Sequence, residues 1–215
     1  MRTKQHGQEM KNVKIIGLTG PSGAGKSELC ACLAKFGIPN INADKIYHQL
    51  LVPPSPCLDE IAAYFGRSVI KEDGTLDRKK LADIVFANGG KEDLIQLNKI
   101  THSYVLRRMR ELIATYSASF PVVIADVPLL FESEFYKECT VNVAVIADRA
   151  IRIDRIMTRD SLDYASAAAR VEAQKNDSFY TSRADFTVYN NSDQSSLEEQ
   201  ARNLLDEIRR ISGEN

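Results

Sequence analysis

Apolar positions in this chain fall into two alternating rhythms. Residues 13–18 form a short, partly β-branched run. A glycine-rich turn follows, and over residues 28–36 the apolar side chains recur at helical spacing. This predicts strand, loop and helix. Residues 38–44 read as a second short strand, with Asp44 placed to cap a helix over residues 45–51, which the cluster Pro53, Pro54, Ser55 and Pro56 stops. From about residue 58 to 119 the pattern is almost wholly helical: one helix into Gly66, another begun at residues 75–77 and ended at Gly89 and Gly90, and a long one through Tyr116. Strand signals return at residues 122–127 and 141–147, both apolar enough for buried parallel strands. A helix from Ala150, another capped by Ser161 and running to about Lys175, a strand over residues 184–189, and a closing helix follow. That last helix is opened by a Ser196 and Glu199 capping box and ends near Gly213. Alternating strands and helices predict an α/β fold of three layers: a doubly wound, mainly parallel sheet with a helical insertion. Ligands would then sit at the carboxyl ends of the strands.

Composition narrows the function classes. The chain has 215 residues, 44% of them apolar, enough to bury the core of one domain. With 28 basic and 29 acidic residues the formal charge is -1, so no global field draws nucleic acid or an anionic membrane, and phosphate chemistry must rest on local clusters. Residues 1–12 are polar and lack a secretory apolar stretch, and no run approaches a membrane span. We therefore expect a disordered polar N-terminus and a cytoplasmic protein. Cys30, Cys32, Cys57 and Cys139 form no CxxC pair and have no histidine at zinc-finger spacing, so they read as reduced structural thiols.

The candidate chemistry begins at Gly20-Pro21-Ser22-Gly23-Ala24-Gly25-Lys26-Ser27, which fits G-x-x-x-x-G-K-[ST] without a gap and lies between the first strand and the first helix. Glycines let backbone N–H groups close around phosphates, and the helix presents its positive end to them. Lys26 can reach the β- and γ-phosphates, and the Ser27 hydroxyl can ligate Mg2+. A nucleoside triphosphate and magnesium follow. A GTPase would need N-K-x-D, and Asn98-Lys99-Ile100-Thr101 lacks the aspartate.

Three further features bear on the reaction. Asp126 ends a strand, where it can hold magnesium through water or stand as a solvated strand end. Asp44 ends the strand after the first helix, on the ligand edge, where it can accept a hydroxyl proton, cap the following helix, or do both. Arg152, Arg155 and Arg159 recur on one helical face; they can clamp a phosphoryl group or pair with Asp148, Asp154 and Asp160.

Over residues 16–192 the chain resembles the dephospho-CoA kinase family. The matching residues are Gly17-Leu18-Thr19-Gly20 leading into the loop, Asn42-Ala43-Asp44, Ile100-Thr101-His102, Val127-Pro128-Leu129-Leu130-Phe131-Glu132, Arg159-Asp160, Gln174, and Ala184-Asp185-Phe186 before Asn190-Asn191. The resemblance implies a nucleoside-monophosphate-kinase-like fold in a single kinase domain, residues 13–215. Its core covers about 13–51, 120–150 and 184–215, a helical acceptor lobe about 52–119, and a lid about 151–183. It implies transfer of the γ-phosphoryl of ATP to the 3′-hydroxyl of dephospho-CoA, the last step of coenzyme A synthesis, by a monomer or small homo-oligomer. By position, Asp44 matches the family's general base, while Asn42 replaces the first aspartate of its D-A-D motif. Lys26 and Arg159 join Asp44 as catalytic candidates. Gly20, Ser22, Gly23, Ala24, Gly25, Lys26, Ser27, Glu28, Arg155 and Asn190 are expected to bind ATP. His102, Pro128, Leu129, Leu130 and Phe131 are expected at the acceptor. Another small-molecule P-loop kinase would share the core residues, and a non-catalytic nucleotide-binding module would bind ATP without acceptor-dependent turnover.

Overall fold

Both faces of the central strand are covered: in β1 (Lys14–Thr19) the last four residues are all buried, as in a parallel sheet with helices on either side. The computed structural model describes residues 13–87 and 91–211. The expected disorder of residues 1–12, the helix stop at Gly89 and Gly90, and the helix end near Gly213 lie outside the described residues. The described residues divide into two compact units, 13–41 with 113–211, and those between 42 and 112.

The first unit carries a five-stranded sheet in the order β2-β3-β1-β4-β5, with β2 at Asn40–Asn42, β3 at Val122–Asp126, β4 at Val141–Ile146 and β5 at Phe186–Tyr189. The β1–β3, β1–β4 and β4–β5 pairs are parallel, with Leu18 beside Asp126 and Thr19 beside Ala144. The chain leaves β1 for β2 on one side of the sheet and later returns to β4 on the other. The carboxyl end of β1 is therefore the point where the winding reverses, the position at which open α/β sheets bind ligands. The main core joins Ile16 and Leu18 of β1 and Val143 and Val145 of β4 to Leu29 and Leu33 of α1 (Lys26–Ala34). It also takes in Leu197, Ala201, Leu204 and Leu205 of a long C-terminal helix, Gln194–Ile211. Cys30 and Cys32 are both buried in this core, and the C-terminal helix supplies Gln194 to Cys32 Sγ at 3.2 Å.

β5 is an edge strand, and its last residue is closed by a side chain. Gln200 accepts from Tyr189 N at 3.0 Å and donates to Tyr189 O at 2.9 Å, standing in for the missing neighbour.

The second unit is helical: α2 (Ala43–Leu50), α3 (Pro56–Phe65), α4 (Arg78–Phe86) and most of α5 (Lys91–Tyr116). Its own core collects Leu51, Cys57, Ile61, Val69, Leu81, Val85 and Ile100. Pro56 does more than stop the preceding helix. It occupies the first turn of α3, where a missing N–H costs nothing, and Ser55 caps that turn.

Helix starts in three places differ from the sequence reading. α2 is capped by Asn42, whose Oδ1 accepts from Lys45 N at 2.8 Å, so Asp44 lies inside the first turn and is not the cap. Following α6 (Arg149–Asp160), Ser161 is the left-handed C-cap; Asp163 caps α7 (Tyr164–Glu172) by accepting from Ser166 N at 2.7 Å. A short α8 (Asp177–Thr181), capped by Asn176, was not expected at all. The C-terminal helix, α9, starts before Ser196, and Asp193 accepts from Ser196 N at 2.9 Å. Asn42, Asp163 and Asn176 each have extended backbone immediately before the first turn, and after Asn42 and Asn176 an aspartate one or two positions on is already helical.

Asn42→Asp should keep α2 capped and leave stability within about 0.5 kcal/mol, whereas Asn42→Ala should cost about 1 kcal/mol in urea unfolding.

Candidate nucleotide site

The loop from Gly20 to Ser27 leaves the carboxyl end of β1 and turns into α1. Gly25 takes the left-handed φ of 95° at the start of that helix, and a Cβ there would meet Asn190 Nδ2 at 2.0 Å. Gly23, at φ 79°, packs against the backbone of Arg152, whose carbonyl oxygen would lie 2.7 Å from an added Cβ. Both positions need glycine for conformation and for space. Lys26 Nζ arches over the loop, donating to Gly20 O at 2.7 Å and Pro21 O at 3.4 Å. Lys26 is also the first residue of α1, whose first-turn N–H groups are the kind of donors that bind a polyphosphate.

The arginines of α6 meet this loop. Arg155 Nη1 donates to Gly23 O and Ala24 O, each at 3.3 Å, and its other nitrogen lies 3.7 Å from Glu28. Arg159 donates to both oxygens of Asp160 at 2.8 Å and to Ser22 Oγ at 3.3 Å. Arg170 also pairs with Asp160, and the two guanidinium groups hold that carboxyl below its ordinary range, the Arg159 hydrogen bond most of all. Arg152 is 5% exposed and donates Nε to Ser22 O at 3.1 Å and Nη2 to Gln174 Oε1 at 2.8 Å. Of the paired reading of this row, the structure shows Arg159 on Asp160, and the same guanidinium also reaches Ser22.

The remaining candidates fall in several settings. Asn190 is buried, and its amide donates to Ala24 O at 3.1 Å and to Glu28 Oε2 at 2.7 Å, so Glu28 and Asn190 brace the loop from behind. Ser27 is exposed on the first turn of α1. Asp126 is buried at the end of β3; its charge, behind the larger effect of burial, helps push the Cys30 thiol up to about 12. Pro128 accepts from Thr19 Oγ1 at 3.0 Å. Leu129 is exposed, Leu130 is fully buried beneath Gly17, and Phe131 packs edge to face on Phe179 at 6.2 Å. In the helical unit, Asp44 is exposed, and no side-chain partner holds it among the described residues. His102 sits half-buried on α5. Sequence reasoning offered Asp160 as a partner of the arginine row and as part of the family pattern, gave no part to Arg170 or Asp177, and gave none to Gln174 beyond its match to that pattern.

The family model described as dephospho-CoA kinase matches residues 14–196. The chain belongs to the dephospho-CoA kinase family. It is 38% identical over 198 residues to the dephospho-CoA kinase of Anaeromyxobacter dehalogenans, covering 92% of this chain and 93% of that one. It is 37% identical over 177 residues to that of Shouchella clausii, covering 82% and 89%. A solved structure from Thermus thermophilus superposes with a TM-score of 0.77 at 29% identity, covering 92% of this chain and 98% of that one. Family membership makes the protein an ATP-dependent phosphotransferase.

Two expectations follow. Burial lowers the pKa of His102 below its ordinary 6.5, so the unfolded chain takes up protons first as pH falls. Stability should decline as pH drops from about 6.5 through the folded pKa, and His102→Gln should flatten that decline in pH-dependent urea titrations. Gly25→Ala forces a β-carbon into Asn190. It should lower stability by several kcal/mol and abolish ATP binding, measured by denaturation and calorimetric titration.

Proposed function

We propose that the chain transfers the γ-phosphoryl group of ATP to the ribose 3′-hydroxyl of dephospho-CoA, giving CoA and ADP. The observation that carries this reading is the extent of the family match. It covers the phosphate loop and also all of residues 42–112, the helical unit where kinases of this architecture differ in their acceptors.

Phosphoryl transfer asks the protein for position and charge compensation. Lys26 moves its ammonium from the loop carbonyls onto the β- and γ-phosphate oxygens, and the N–H groups of the first turn of α1 receive the remainder. Arg155 and Arg159 supply positive charge to the transferring group, with Asp160 setting the plane of the Arg159 guanidinium. Asn190 serves the nucleotide by bracing the loop through Ala24 and Glu28. Asp44 takes the proton of the acceptor hydroxyl. With Asn42 engaged as the helix cap, its carboxylate is left to that task. His102, Pro128, Leu129 and Phe131 contribute to holding the acceptor, and buried Leu130 supports that segment from below.

Among the described residues no group of three or more His, Cys, Asp or Glu gathers to hold a metal. A Mg2+ would then take most of its ligands from phosphate and water. The Ser27 hydroxyl and the Asp126 carboxylate are the hard oxygen donors that suit it. Bound there, the ion would neutralise charge on the β- and γ-phosphates. No helix among the described residues is long and apolar enough to cross a membrane, and the four cysteines are free thiols, which supports a reducing, cytoplasmic setting.

A coupled ADP-release assay with dephospho-CoA, nucleosides, nucleoside monophosphates and shikimate tests the assignment. Release driven by dephospho-CoA, with CoA as product, is expected; turnover with another acceptor alone would overturn it. Lys26→Ala should abolish transfer. Asp44→Asn should lower kcat by at least about a hundredfold with ATP affinity nearly intact, and wild-type turnover would remove Asp44 from the role of base. Arg159→Ala should lower kcat more than it raises KM for the acceptor.

A further inference from the structure

We propose that Gln174 is a positioning residue for nucleotide binding, acting through Ser22. Its Oε1 accepts from Ser22 N at 3.0 Å and from Arg152 Nη2 at 2.8 Å. Arg152 returns Nε to Ser22 O at 3.1 Å. The peptide N–H and the carbonyl of one loop residue are thus gripped by two side chains that also grip each other, while Arg159 holds the Ser22 hydroxyl at 3.3 Å. Every polar group of Ser22 is engaged by α6 or by the segment just after α7.

The pair fixes the outer turn of the phosphate loop because neither member can drift. Arg152 is 5% exposed, and its own backbone is packed against Gly23. Its remaining ionic neighbour is Asp177, at 3.5 Å. A guanidinium so placed must have its donors met, and the Gln174 carbonyl meets one of them while turning its second lone pair to Ser22. Without that oxygen the buried cation seeks another acceptor, and the Ser22 peptide is free to rotate. The N–H groups immediately after it, from Gly23 onward, then lose the common direction that a phosphate requires. Gln174 and Arg152 touch no nucleotide in this scheme; they set the shape of the loop that does.

The inference rests on nucleotide binding at this loop and not on the identity of the acceptor, so its deciding measurement, a binding titration, uses no acceptor. Titration of the full chain with a non-hydrolysable ATP analogue should give a Kd about tenfold weaker for Gln174→Leu, which removes the oxygen at similar bulk. Gln174→Glu keeps two acceptor positions beside Arg152 and should stay within about threefold of wild type. In the coupled assay, KM for ATP should follow Kd in both variants while kcat at saturating ATP stays within about threefold. A purely structural role predicts a lowered Tm and fewer binding-competent molecules with unaltered Kd. That result for Gln174→Leu, or an equal loss in Gln174→Glu, would overturn the proposal. A chain that binds the analogue as described but ignores dephospho-CoA would fault the acceptor assignment alone.

Discussion

The close approach of Asn190 to the backbone of Gly25 is the constraint on which the site depends. Asn190 stands at the carboxyl end of β5, where its own N–H is tied to Ile146 O at 2.8 Å. Its amide is thereby delivered by the sheet, and as a buried polar group it must find partners. It finds Ala24 O and Glu28. The glycine makes this possible, since any side chain at position 25 would occupy the space the amide needs. Glu28 in turn faces Arg155, so the end of the sheet, the start of α1 and the arginine helix are all referred to one point.

Around that point the forces differ in kind. α6 and α7 share a small core of Ile153, Ile156, Ala167, Ala168 and Val171, separate from the main one. α6 meets the phosphate loop through hydrogen bonds: Arg152 anchors Ser22, while Arg155 and Arg159 reach Gly23 O, Ala24 O and Ser22 Oγ. Apolar packing keeps the helix pair together as a piece. The contacts of Arg155 and Arg159 can be exchanged for contacts to phosphate at small net cost. The division assigns rigidity to the helices and the Arg152 anchor, and adaptability to Arg155 and Arg159.

What the sequence made legible follows from the range of the interactions. Gly20 to Ser27 is a local pattern whose chemistry depends on neighbouring residues, and the sheet strands are short apolar runs, so loop and fold class could both be read directly. Cap positions could not. Asn42 and Asp44, Ser161 and Asp163, Asp193 and Ser196 are interchangeable by residue type, and the choice is made by where the backbone leaves the extended conformation. The support of the loop was equally hidden: Gln174 meets Ser22 across 152 positions of sequence, and Asn190 meets Ala24 across 166. Residue pairs that far apart leave no periodic trace. The helical spacing of Arg152, Arg155 and Arg159 announced a row but not that its first member would be buried.

The side-chain amide of Gln200 on the last residue of β5 has an implication for the protein as a substance in concentrated solution. A sheet that ends in an open strand is a template for the next copy of the same chain, and growth from such an edge is how folded proteins enter ordered aggregates. Here the terminal donor and acceptor of that edge are already occupied from α9. At the opposite margin β2 is only three residues long, too short to recruit a neighbour with much affinity. The sheet is therefore finite by construction.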